Sequence, residues 1–186
     1  MDKTKKQQLI QEAQDLWQTN QAYEASKLIY EHIPHQDRAT WAGNILKLAY
    51  PHFSPTTDIE AVIQFAENAN NWSQERQKEA MRIVDTVNRF SKRPPIPFPQ
   101  LIYNLAAMVG KISYNAQHFP APYDHNAGWK IGEILKQIAQ GIDFQNFEEN
   151  AWNQFCDEQF LQLDQPIICH PACPICYYNS ESLLME

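Results

Sequence analysis

QLIYNLAAMVGKISYNA, residues 100–116, is the stretch on which the fold turns. Apolar side chains fall at Leu101, Ile102, Leu105, Ala106, Met108, Val109 and Ile112, the three-and-four spacing of an α-helix. They cover most of the helical circumference, so the segment predicts a helix surrounded by others. A strand would alternate sides at every residue, and such alternation is scarce anywhere in the chain. With only 5 Gly in 186 residues, the chain is poorly supplied for tight strand hairpins or phosphate-cradling loops.

Toward the N-terminus, SKRPPIPFP (91–99) places four prolines in six residues, which forces an extended strap. Before it, the spacing predicts a fifth helix over 73–90, capped by Ser73 with Met81, Val84, Val87 and Phe90 inward. A fourth starts at Thr56 or Thr57, where Asp58 and Glu60 suit the positive helix end, and buries Ile59, Val62, Ile63 and Ala66. The third, 37–50, carries Trp41, Ile45, Leu46 and Ala49 with Asp37 as its cap, and is closed by Pro51. The first (4–19) carries Leu9, Ile10, Ala13, Leu16 and Trp17 on one side; the second (21–33) presents Tyr23, Ala25, Leu28, Ile29 and Ile33. They are separated at Asn20, and Pro34 ends the second, so the two form an antiparallel hairpin. Trp17, Tyr23, Ser26, Tyr30 and Ile33 fall where a tetratricopeptide unit keeps apolar and small residues, so 13–34 resembles one such hairpin. The resemblance covers that hairpin alone, lacks the usual Gly, and does not recur at the 34-residue period of that repeat.

Toward the C-terminus, HFPAPYDHN (118–126) is a proline-held loop. A seventh helix follows to about 140, with Gly141 placed to end it in a left-handed turn. Gly128 and Gly132, one turn apart, allow another helix to approach closely. An eighth helix, 143–161, carries Phe144, Phe147, Trp152, Phe155 and Phe160, and the tail 162–186 is irregular. The expectation is an all-α fold of about eight helices in antiparallel hairpins, a helical bundle or short α-solenoid. It forms one domain, 1–186, with halves 1–90 and 100–161 joined by the strap.

Charge is unevenly placed. The chain carries a net −7, and after Lys136 there is no Lys or Arg while eight acids follow, Asp143 to Glu186. Removing those eight from 22 leaves 14 acids against 15 bases, a net of +1 for the first 136 residues. The acidic end repels phosphate backbones and disfavours nucleic acid; basic partners or cations are easier to accommodate. The longest apolar run, 105–109, is far short of the roughly 20 residues of a membrane span. No signal-peptide core follows the basic start, so the expectation is a cytoplasmic protein without membrane contact.

All four cysteines lie between 156 and 176: Cys156, Cys169, Cys173 and Cys176, with His170 beside the second. This C-x12-C-H-x2-C-P-x-C pattern can offer four soft ligands to one tetrahedral zinc, with His170 as a substitute ligand. Its C-x3-C-x2-C part looks like the cluster triad of radical S-adenosylmethionine enzymes, which place it after the first strand of a barrel; this sequence predicts no strand there. The alternative is reduced cysteines, with Cys156 a small buried hydrophobe. The second constellation is His118, Tyr123, Asp124 and His125 in the proline-held loop, able to ligate or to move protons; the alternative is that Asp124 or Asn126 caps the next helix. His32, His35, Asp37 and Arg38 make a third polar turn.

Nucleotide-loop, zinc-protease and serine-hydrolase motifs are absent. The sequence therefore points to a non-catalytic helical protein that presents a hairpin surface to another protein. The other reading is a zinc protein or metal-dependent enzyme built on the C-terminal cysteines.

Overall fold

The computed structural model describes residues 3–54, 56–69, 98–115, 125–142 and 146–163, and the single positions Glu75, Lys78, Arg82 and Asp85. Those four positions are helical and exposed, at the spacing of one outward face, within the expected fifth helix. The strap up to residue 97, the loop 116–124 and the tail beyond 163 lie outside the described residues. Among the described residues all regular structure is helical: α1 (Lys3–Gln18), α2 (Ala22–Tyr30), α3 (His35–Ala49), a 3₁₀ turn (Tyr50–His52), α4 (Thr57–Glu67), α5 (Phe98–Asn115), α6 (His125–Gly141) and α7 (Phe147–Phe155).

The first hairpin follows from its residues. α1 buries Leu9, Ala13 and Trp17, each four residues apart. It stops where Asn20 takes φ 61°. The Gln21 N–H then reaches back to Leu16 O at 2.8 Å and the Asn20 N–H to Trp17 O at 3.3 Å. That pair of reversed bonds around a left-handed Asn is the Schellman closure, and it satisfies carbonyls the helix end would orphan. α2 then buries Ala22, Ala25, Ser26, Ile29 and Tyr30, a stripe at i, i+3, i+4, i+7 and i+8.

Several expected boundaries move. α3 starts at His35 with Pro34 as its cap, so Asp37 lies in the first turn and not at the cap; proline fits there because its fixed φ leads into a helix. α5 starts at Phe98, which draws the end of the strap into its first turn, where the missing Pro99 N–H has no helical acceptor to lose. Gly141 is the last helical residue, and no described Gly has positive φ. The left-handed end expected there is absent because Ile142 continues the coil, bonding to Ile138 O at 3.1 Å and burying its side chain. α7 spans only Phe147–Phe155, which places Cys156 at the C-cap rather than mid-helix. Asp157 accepts from the Gln159 N–H at 3.1 Å, a local turn that competes with helix and directs Phe160 and Leu161 into the core. The Thr56 cap holds, accepting from the Ile59 N–H at 3.4 Å.

One continuous apolar core draws on all seven helices. α5 packs against α3, α4 and α6 and is buried over most of its circumference, as its composition requires. α3 shares the central place and also touches α7. Trp41 on α3 lies between Tyr30 and Phe155, with ring centroids 5.7 Å from each. Its indole N–H donates to Phe155 O at 3.0 Å, satisfying a carbonyl in the last turn of α7.

The most extensive helix pair is α2 against α6, and it is built on small residues. A Cβ at Gly128 would lie 2.4 Å from the Tyr30 ring; one at Gly132 would lie 2.6 Å from Ala22 O and 2.8 Å from Ser26 Cβ. The buried Ser26 hydroxyl donates to Gly128 O at 2.8 Å and accepts from the Gly132 N–H at 3.0 Å. Those two groups stand at i and i−4 in the ladder of α6, so a side chain of α2 bonds to both ends of one turn. The close approach expected of the two glycines is therefore present, and α2 is fixed with its other face outward.

Candidate functional site

That outward face carries a recess of about 310 Å³ between α1 and α2, lined by Glu12, Leu16, Glu24, Lys27, Leu28 and Glu31. On α1 the lining residues are one turn apart; on α2 and its C-cap Glu31, which keeps helical dihedrals, they stand at i, i+3, i+4 and i+7, which puts all four on one side. Leu16 and Leu28 are half-buried against the core and form an apolar floor. Glu12 and Glu24 are exposed, and Glu31 is half-buried.

The electrostatics are lopsided. Three carboxylates face one base, and the Lys27 ammonium lies 5.0 Å from the centre of the Trp129 ring, within cation–π range. Tyr23 meets the same indole edge-on, with centroids 6.2 Å apart. Burial raises the Glu31 carboxyl above its ordinary value, against the opposing pull of Lys27, His32 and Arg38, and Glu24 adds to the rise. Burial also raises the Tyr23 hydroxyl, with Glu24 and Glu133 adding to it.

A second polar assembly lies where α1, α6 and α7 meet. Glu148 accepts from Lys136 and, at 3.1 Å, from the Trp17 indole N–H. Lys136 also sits 5.0 Å from the centre of the Trp17 ring. The Lys136 hydrogen bond lowers the Glu148 carboxyl below its ordinary value; burial opposes this and the Trp17 bond assists. Trp17, Lys136 and Glu148 are partnered with one another, so the assembly ties α1, α6 and α7 together.

Among the described residues, none of those singled out as candidate ligands or polar-turn groups lines the recess. Cys156 is buried in the core, and desolvation pushes its thiol well above the ordinary range, which keeps it protonated. Cys169, Cys173, Cys176 and His170 lie outside the described residues, as do His118 and Asp124; His125 is the first residue of α6, and its side chain is outside the description. No three His, Cys, Asp or Glu among the described residues are placed to hold a metal ion. The polar turn 32–38 is a brace: Arg38 Nε donates to Ile33 O at 3.0 Å, its guanidinium stacks 4.4 Å from the Tyr30 ring centre, and His32 O accepts from the Gln162 N–H at 2.8 Å.

No family model, curated protein or solved structure matches the chain.

The recess was missed because Leu16 and Leu28 sit beside the true buried stripes, and helical periodicity alone assigns them to the core. The signal was present: Glu24, Lys27, Leu28 and Glu31 share one face, with an apolar residue set among charges.

No helix among the described residues is long and apolar enough to cross a membrane.

Proposed function

We propose that this is a non-catalytic cytoplasmic interaction protein that presents the outer face of the α1–α2 hairpin to another protein. One observation carries the reading: a recess with two half-buried leucines opens on a hairpin whose opposite face is fixed to α6 by Ser26, Gly128 and Gly132. Half-buried apolar side chains on a rigid element are what a partner's anchor residues require. The charged rim supplies orientation and speeds encounter more than it adds affinity.

Site-specific photo-crosslinking tests it. A benzophenone amino acid at Glu24, exposed at the recess, is compared in cells with one at Gln64, exposed on α4. The expected result is a discrete protein adduct from position 24 only, lost on Leu28→Ser while the circular dichroism spectrum is kept. Equal adducts from both positions, or none from position 24, remove the reading.

A further inference from the structure

We propose that the recess takes a basic amphipathic helix of the partner, which seats an apolar side chain on Leu16 and Leu28 and sets Lys or Arg against Glu12, Glu24 and Glu31. This deepens the interaction reading and rests on it.

Charge complementarity is the first argument. The first 136 residues are close to neutral, with a net of +1 from 15 bases and 14 acids, yet three carboxylates meet at this recess. Its single lining base, Lys27, lies over the Trp129 ring and also pulls on Glu31, which leaves two of the three carboxylates in excess. A carboxylate or phosphate ligand would be repelled; a cation would be drawn in. The chain's own C-terminal end fits poorly, since it holds no Lys or Arg after Lys136.

Spacing is the second argument. Glu24 and Glu31 are seven residues apart on one helix face, a distance of about 10.5 Å at 1.5 Å per residue. A partner helix carrying cations at i and i+7 repeats that distance, and its i+3 or i+4 position falls between them, opposite Leu28. The volume of about 310 Å³ stands at the foot of the range for small-molecule pockets, roughly 300–1,000 Å³. It suits one or two anchoring side chains of a longer segment. The Glu31 carboxyl is half-buried in this lining, and desolvation outweighs the pull of Lys27, His32 and Arg38, so a further cation would favour its charged form.

The test uses a fluorescein-labelled synthetic helix with Leu at i+3 and i+4 and Lys at i and i+7, and the same peptide with Glu for Lys. Binding to the full chain is read by fluorescence anisotropy. The Lys peptide binds, the Glu peptide does not, and affinity falls as salt rises from about 50 to about 200 mM, where screening shortens the reach of exposed charges. Glu24→Lys with Glu31→Gln weakens binding about tenfold, or about 1.4 kcal/mol, because two ion contacts are lost together. Leu28→Ser weakens it at constant charge, while Glu149→Lys, exposed on α7, leaves it unchanged. Circular dichroism confirms that each variant folds. Equal loss with Glu149→Lys, binding of the Glu peptide, or full displacement by spermine at matched charge overturns the proposal. So does a dimer of this chain, seen by light scattering, that Glu24→Lys dissolves. A position-24 crosslink to a partner segment without basic residues defeats this inference alone, whereas absence of that adduct defeats the underlying reading.

Discussion

Replacing Gly132 by Ala sets two effects of opposite sign against each other. In an isolated helix the change stabilises by about 1 kcal/mol, because Ala has the better helix propensity. Here the new Cβ would stand 2.6 Å from Ala22 O, and ordinary contact begins near 3.4 Å, so α2 and α6 must part by about 0.8 Å. Ala22 O is backbone and cannot rotate away. Adding this to the Ser26 bonds of 2.8 and 3.0 Å takes both past the geometric limit for a hydrogen bond. Overpacking costs about 1–3 kcal/mol and the stranded buried hydroxyl about 1–3 kcal/mol more. Net destabilisation of about 1–5 kcal/mol is expected after the propensity gain. In a urea titration followed at 222 nm, that lowers the midpoint by about 0.5–2.5 M for slopes near 2 kcal/mol/M. Ser26→Ala is the control: it removes the hydroxyl without adding bulk, and Gly128 O and the Gly132 N–H can then bond to each other, so about 1 kcal/mol is lost. A Gly132→Ala midpoint equal to or above that of the parent would refute the close-approach argument. A Ser26→Ala loss as large as that of Gly132→Ala would show that the hydroxyl matters and the spacing does not.

Glu31→Gln raises the melting temperature at pH 7. Burial holds the folded Glu31 pKa above its unfolded value, so the stability this carboxyl contributes is present at low pH and lost as pH rises through the raised value; the advantage of Gln vanishes below about pH 4. Glu148→Gln does the opposite. The Lys136 bond depresses the folded pKa, so the contribution is present above the unfolded value and lost as pH falls through the lower folded one. With its side chain 53% exposed, solvent screening holds the loss at pH 7 to about 1 kcal/mol or less, read from paired melts at pH 7 and pH 3. The Cys156 peptide stays unlabelled by iodoacetamide at pH 8 in the folded protein and becomes labelled in urea, since the thiolate is the reactive form. Fast labelling without denaturant would contradict its place in the core.

The helices were legible because period and punctuation agreed: Leu9, Ile10, Ala13, Leu16 and Trp17, then Asn20, then Tyr23, Ala25, Leu28, Ile29 and Ile33 before Pro34, spell out a hairpin. The close approach at Gly128 and Gly132 was legible for a similar reason, since two glycines one turn apart have few other uses. What was not legible is the identity of the opposing residue. Ser26 lies 106 positions from Gly132, and nothing local to either announces the pairing. Boundaries failed where tertiary contacts overrode local preference, as when Ile142 carried the coil past Gly141 to reach the core. Leu16 and Leu28 show why the recess escaped notice. A helix wheel separates apolar from polar, but it does not separate a leucine covered by its own fold from one left beside a furrow. Of the cysteine pattern, Cys156 lies buried at the C-cap of α7, and Cys169, Cys173 and Cys176 lie outside the described residues.

The seam between α2 and α6 also has a consequence for biosynthesis. Ser26 leaves the ribosome 106 residues ahead of Gly132, which at typical synthesis rates is a wait of about 5–20 s. For that interval the face of α2 that α6 will cover, Ala22 and Ser26 among it, lacks its native partner. A nascent chain with so long a delay is a natural client for chaperones that shield apolar surface until the later half arrives.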